Sequence, residues 1–259
     1  MASTSKNYVL GSGEVYLAHL DPTTKLPVEG ERYIGNTSAF GINVQSQMLD
    51  HYDADHGVRT LDQTALLQVT RNGTLTTDQI DPNTVADFFM GTTGTLTQAS
   101  ATGQAESFAN IVQDRWYQLG TTAASPSGVR NVTNAVLKAA TVSLVAGTDY
   151  EIDLTYARFR ILPGSTAAAA GATVDATYDV SASTREQTIS GNSAVYVALR
   201  FIATNSIGVK RDYYLPYCQI SPNGEYQLKG EQWQQMQFNL SVLQRDPTTA
   251  AIYIDGQAA

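Results

Sequence analysis

Residues 65–80 read ALLQVTRNGTLTTDQI, and their alternation decides the fold class. Leu67, Val69 and Leu75 fall on one face of an extended chain, while Gln68, Thr70, Asn72, Thr74, Thr76 and Asp78 fall on the other. A period of two over this length predicts a long β-strand with one buried face. Arg71 and Gly73 interrupt the apolar side, so a bulge or bend is expected there.

Working outward, two more segments repeat the pattern. In Ser38–Gln47 the apolar set is Phe40, Ile42 and Val44, and the opposite set is Ala39, Gly41, Asn43, Gln45 and Gln47. In Trp233–Arg245 the apolar set is Met236, Phe238, Leu240 and Val242, against Gln235, Gln237, Asn239 and Ser241. Val195, Val197, Leu199, Phe201 and Ala203 share a face in a fourth segment, and a return strand runs from Gly208 to Ile220. A solvated strand face ordinarily carries Lys and Glu, which also discourage edge-to-edge pairing. These faces carry Gln, Asn and Thr instead.

One helix is expected, in DPNTVADFFMG (81–91). Asp81 is its N-cap, Pro82 occupies the first helical position and Gly91 stops it. Val85, Phe88 and Phe89 form a single apolar stripe, which must dock on a sheet because so short a helix is not stable alone. From Thr92 to Gly128 the composition turns to Thr, Ala, Ser and Gly around one firmer segment, FANIVQDRWYQLG (108–120). A compact β block follows, with turns at Gly147, Pro163–Gly164 and Gly171 and a surface loop at STAAAAGA (165–172). The expected organisation is one domain from 1–128 and 186–259, with a small β insert at 129–185.

Composition narrows the function. Of 259 residues only 15% are charged and the net charge is −8, which argues against binding nucleic acid by phosphate neutralisation. The single cysteine, Cys218, has no disulfide partner and no neighbour at metal-ligand spacing. The N-terminal residues lack the apolar run of a signal peptide, and no segment approaches the ~18 apolar residues of a membrane span, so a soluble protein folded in the cytoplasm is expected. The sequons at Asn36, Asn72 and Asn131 mean little without secretion.

The most chemically loaded stretch is DHYDADHGVRTLD (50–62), which holds two of the three histidines. It matches no metal template. With Gly57 in the sixth position of a calcium loop, Gln63 would stand where the bidentate Glu belongs. His51 and His56 are five residues apart and so miss the i, i+4 spacing of a zinc helix. His19 sits on an expected strand without an identifiable catalytic partner. Gly11 and Gly13 lack the third glycine of a dinucleotide loop and precede a strand. No Walker motif, nucleophile elbow or Cys-x-x-Cys occurs. An enzyme is therefore not expected, and neither a cofactor nor a metal is expected.

Read as a unit, residues 8–90 resemble the major tail tube proteins of long-tailed bacteriophages. The likeness rests on GSGEVYLAHL, RYIGNTSAFGINVQ and LDHYDADHGVRTLDQTALLQVTRNGTLTTDQIDPNTVADFFMG in that order, and on LPYCQISPNGEYQLKGEQWQQMQFNLSVLQRD near the C-terminus. GTDYEIDLTYARFRILPG is similar to a β segment that some relatives carry between the halves. The resemblance implies a mainly β protein, a β-sandwich or half-barrel with one flanking helix. Six copies would close into a ring around an inner β-barrel channel, and stacked rings would form a virion tail tube. Its implied partners are further copies of itself, a tape-measure protein and tail terminator and baseplate proteins, with no membrane partner.

On that reading Asn43, Gln45, Gln47, Gln68, Thr70, Asn72, Thr74, Thr76, Asp78, Gln235, Gln237, Asn239 and Ser241 face the lumen. DNA would slide past a neutral-to-acidic wall that offers its phosphates no counterion. Asp50, His51, Tyr52, Asp53, Asp55, His56 and Arg59 would lie in a loop between two channel strands, making charge-assisted contacts with the neighbouring ring. A phage-derived or secretion-type injection tube would share these features, and a surface adhesin-like β protein would share the Thr, Ser and Gly richness.

Overall fold

A computed structural model describes residues 8–55 and 57–257. In chain order the elements are β1 (Gly13–His19), β2 (Arg32–Tyr33), β3 (Thr37–Asp53), β4 (Thr60–Thr77), α1 (Pro82–Phe88) and β5 (Thr92–Gln98). There follow β6 (Ala101–Phe108), β7 (Trp116–Gln118), β8 (Val132–Ala139), β9 (Val142–Ser143), β10 (Tyr150–Asp153), β11 (Arg158–Ile161) and β12 (Val174–Val180). Last come β13 (Ser183–Ile189), β14 (Val195–Ala203), β15 (Arg211–Pro222), β16 (Met236–Val242) and β17 (Tyr253–Gly256). The protein is mainly β with several antiparallel sheets, and the chain divides into two compact units, 1–93 with 188–259 and 94–187. β5 and β13 pair as the ribbon along which the chain passes from one unit to the other and back.

The first unit is built on one antiparallel sheet in the order β2-β1-β14-β15-β16-β4-β3, with β17 also pairing β15. The strands alternate as their sequences dictate: in β16 Met236, Phe238, Leu240 and Val242 are buried, and Gln237, Asn239 and Ser241 are exposed. The sheet curls over its apolar face without closing. The rings of Phe40 on β3 and Phe201 on β14 approach to 5.8 Å although three strands separate them in the sheet order. The core inside this curl includes Val15, Leu75, Leu199, Leu215, Met236 and Leu240. Each such side chain contributes roughly 1.5–3 kcal/mol on burial.

Helix α1 starts as its sequence prescribes. Asp81 Oδ1 accepts from the backbone N–H of Asn83 at 2.9 Å and of Thr84 at 3.0 Å, ahead of Pro82. The buried face differs from the expected stripe. Phe88 packs edge-on against Phe238 at 5.8 Å, whereas Phe89 is exposed and Thr84, Ala86 and Asp87 are buried instead. Gly91 answers a close approach, because a Cβ there would lie 1.9 Å from the carbonyl oxygen of Ile189.

The second unit is a sandwich of a three-stranded sheet, β10-β11-β7, and a four-stranded sheet, β6-β12-β8-β9. Leu137, Phe159, Ile161 and Val174 are fully buried between them, and Phe108 meets Phe159 edge-on at 5.1 Å. This unit is larger than the expected insert at 129–185. β6 and β7 precede residue 129 yet supply an edge strand to each sheet. Residues 165–172 form the expected irregular loop, but Ser165 and Ala168 are buried, so it is pinned to the core.

Candidate functional site

The β3–β4 hairpin and β16, which is distant in sequence, lie side by side in the large sheet, and their register aligns the polar residues in rows. Gln237 pairs with Thr76, which pairs with Ala39; Asn239, Thr74 and Gly41 form the next row. Ser241, Asn72 and Asn43 form a third, and Gln45 with Thr70 and Gln47 with Gln68 continue outward. No side chain in these rows is charged. Gln68 Nε2 donates to Thr70 Oγ1 at 3.1 Å, and a shallow hollow of about 420 Å³ opens beside Asn43, Asn72, Thr74 and Asn239. Two of the expected residues fall beyond the strand ends. Gln235 is exposed just before β16, and Asp78 follows β4, where both its carboxylate oxygens accept from Asn36 Nδ2 at 2.8 Å.

β3 and β4 pair over almost their whole lengths, 17 and 18 residues, and their outer halves form an arm. No side chain is buried from Asn43 to Asp53 or from Thr60 to Asn72. At a rise of about 3.3 Å per residue the arm extends ~30 Å. Its apolar side continues the core face outward through Val44, Met48 and Tyr52 on β3 and Val69, Leu66 and Leu61 on β4. Val44 is 58% exposed and Leu66 58%. β3 has β4 as its partner strand and ends the sheet order, so its outer edge is unpaired among the described residues. That edge carries neither Lys nor Pro.

The break in alternation lies elsewhere than expected. There is no register shift at Arg71–Gly73; the shifts fall at Ser38, Leu67 and Asp62, each an extra residue on its strand. Arg71 stays on the apolar face, half-buried opposite Val44 and Val242. Gly73 is glycine because the neighbouring strands crowd it: a Cβ would stand 2.5 Å from the Gly41 carbonyl oxygen and 3.2 Å from Leu240 Cδ1.

The charged stretch 50–62 is mostly strand rather than loop. Asp50, His51, Tyr52 and Asp53 complete β3, Asp55 lies in the turn, Arg59 directly precedes β4, and His56 lies outside the described residues. Its charged groups also divide between two faces. Asp50 shares the apolar side with Met48 and Tyr52, whereas His51 is on the polar side, its Nδ1 2.6 Å from Asp62 Oδ1. The His51 hydrogen bond holds the Asp62 carboxyl below its ordinary range. Asp53 Oδ1 accepts from the Asp55 N–H at 2.9 Å and shapes the turn. Among the described residues no three His, Cys, Asp or Glu side chains converge as a metal-binding group. Among them, too, no helix is long and apolar enough to cross a membrane.

A polar network that local spacing does not reveal joins α1 to the sheet. His19 Nε2 lies 2.7 Å from Asp87 Oδ1 and its Nδ1 lies 3.0 Å from Glu29 Oε1. Arg32 Nη2 donates to Asp87 Oδ2 at 2.6 Å, with Asp81 3.7 Å from Nη1. The hydrogen bond to Asp87 raises the His19 pKa, against the opposing effect of burial. Both imidazole nitrogens are engaged with carboxylates, which makes this a structural clamp. Cys218 is buried, and burial pushes its thiol up to about 12, so it is inert.

One family model matches residues 8–252, and its family is described as protein of unknown function UCP028589. The chain belongs to that family. The match spans both compact units, so the second unit is part of the family's architecture. No curated protein matches the chain.

Proposed function

We propose that this protein is a structural subunit that polymerises through copies of itself into a hollow tail tube, built as stacked rings of six, through which DNA passes. The observation that carries the reading is the uncharged polar face shared by β3, β4 and β16. An uncharged, hydrogen-bonding wall keeps water and gives phosphates no counterion, so a polyanion slides past without being held. The unpaired edge of β3 and the exposed apolar side of the arm supply surfaces that a monomer would leave open and an assembly would cover. The likeness of the ordered motifs to tail tube proteins supplies the ring and the stack, with a tape-measure protein and end-capping proteins as further partners. A phage-derived injection tube would use the same surfaces in the same way.

Thiol labelling tests this. Thr74→Cys and Gln237→Cys place thiols on the polar face, where native Cys218 stays silent because it is buried. Both thiols should react with a bulky maleimide in free subunits and be shielded in the assembly. Equal reactivity in the two states would mean that this face lines no channel.

A further inference from the structure

The outer face of the three-stranded sheet in the second unit carries a row of rings and guanidiniums. Tyr117, Phe159 and Ile161 turn inward to the core, so Trp116 on β7 and Arg158 and Arg160 on β11 point outward. Tyr156, in the turn between β10 and β11, and Arg130 extend the row. Arg158 Cζ lies 4.7 Å from the Trp116 ring centroid and 5.5 Å from that of Tyr156. Arg160 Cζ lies 5.4 Å from Trp116, and Arg130 Cζ lies 5.7 Å from Tyr156. Trp116 is 43% exposed and Tyr156 56%.

The row is held from below. Gln118 Nε2 donates to the Tyr156 carbonyl at 2.9 Å, and the Asn131 N–H donates to the Thr155 carbonyl at 3.0 Å. Ala157 is buried with φ at 54°, a left-handed conformation that a residue with a Cβ adopts only where its surroundings impose it. A platform fixed in this way loses little freedom on binding.

The arginines differ in what they lack. Arg160 donates to Glu151 Oε2 at 3.0 Å and to Asp114 Oδ1 at 2.7 Å. Arg130 donates to the carbonyls of Ser127 and Val129. Arg158 makes no hydrogen bond among the described residues, and the carboxylate beside it, Asp153, stays at 3.6 Å. Its Nε is buried without a partner while the side chain is 42% exposed, which leaves the outer Nη1–Nη2 edge facing solvent. Glu151 Oε1 and Asp114 Oδ2 accept no hydrogen bond among the described residues. At the margins, Arg115 is exposed beside Trp116, Arg185 donates to the Gly128 carbonyl, and Asp149 is turned to Ser165.

These groups specify the ligand. The electron-rich ring faces suit the C–H faces of sugars. The Arg158 edge suits a carboxylate, and the unused carboxylate oxygens suit hydroxyl donors. A nucleic acid backbone offers those carboxylates no donor, and the net charge of −8 repels it. A protein partner needs more room. With strands of 3 or 4 residues, the face covers only ~200 Å², against roughly 800 Å² per partner in a stable protein interface.

We propose that this face binds an acidic oligosaccharide, with a sugar carboxylate on Arg158, sugar rings on Trp116 and Tyr156, and hydroxyls on Glu151 and Asp114. The proposal stands independently of the self-assembly reading.

The test uses the full chain with Trp233→Phe, which leaves Trp116 as the single tryptophan. Tetragalacturonate is titrated in, with Trp116 emission and calorimetric heat recorded on the same samples. Both should change saturably, and the methyl-esterified oligomer should bind at least ~10-fold more weakly for want of the charge-assisted bond. Arg158→Lys keeps the charge but loses the planar fork, so it should raise Kd by about 10-fold with the melting temperature nearly unchanged. Absence of both heat and emission change with tetragalacturonate would overturn the proposal. Equal affinity in the Arg158→Lys variant would overturn it as well, by reducing the contact to general charge attraction. A thymidine decanucleotide that binds as tightly as the sugar acid would replace it with a nucleic-acid site.

Discussion

Asp87→Ala separates the clamp under α1 from the helix's own propensity, because alanine is the better helix former and any loss must come from the missing carboxylate. Asp87 is 7% exposed and accepts from His19 at 2.7 Å and Arg32 at 2.6 Å. Removing one partner of a buried charge pair costs about 3–5 kcal/mol. Here the surviving cations are partly wet, with Arg32 at 20% and His19 at 31% exposure, so the expected loss is about 2–3 kcal/mol. For a unit of this size that is a fall in melting temperature of about 5–10 °C.

The loss should depend on pH. The folded pKa of His19 is raised, mainly by Asp87, so its share of the stability is fully present below the unfolded value of about 6.5 and disappears as pH rises through the folded value. Glu29, Asp81 and Arg32 also face the clamp. Thermal melts by circular dichroism at about pH 6 and about pH 8.5 should show the gap between wild type and variant narrowing at the higher pH without closing, because the Arg32 pair persists. A gap that is constant with pH would refute the coupling to His19, and a loss below about 1 kcal/mol would make the clamp no stronger than a surface pair.

Three further outcomes are expected. Replacing Thr70, Thr74 and Gln237 with Lys should leave the subunit folded and able to assemble, since Thr74 and Gln237 are exposed and Thr70 is half-exposed; DNA passage should then slow at low salt and recover as salt rises. Asp53→Ala, Asp55→Ala and Arg59→Ala together should barely move the subunit's melting temperature yet weaken stacking seen by sedimentation, and a chelator should change neither. Gly73→Val should destabilise the subunit by about 1–3 kcal/mol in urea titration, because its side chain meets the Gly41 carbonyl and Leu240.

The parts of the fold that were legible in the sequence are those set by local chemistry. Met236–Val242 and Phe40–Val44 alternate without ambiguity, and Asp81-Pro82 fixes the start of α1 through its own side chain. Harder to read were the places where two local rules compete. Leu66 and Leu67 are consecutive and equally apolar, so the pattern does not say which one is extra, and the bulge was expected instead at the charged Arg71. β6, with the sequence ATGQAESF, brings only Ala101 and Phe108 to the apolar core and turns Glu106 inward to accept from the Tyr178 hydroxyl, so its composition reads as loop and the second unit looked shorter than it is. The His19 clamp joins residues 10 and 68 positions apart, a separation at which no periodicity operates. The polar rows were legible as faces of single strands, but their alignment depends on strand order, which alternation does not encode.

Electron microscopy of the concentrated, purified protein in negative stain tests the central claim most directly. Hollow tubes, or rings with an open centre, are the predicted result, and they should persist when a chelator is present. A field of featureless single subunits at every concentration and salt condition would contradict the account.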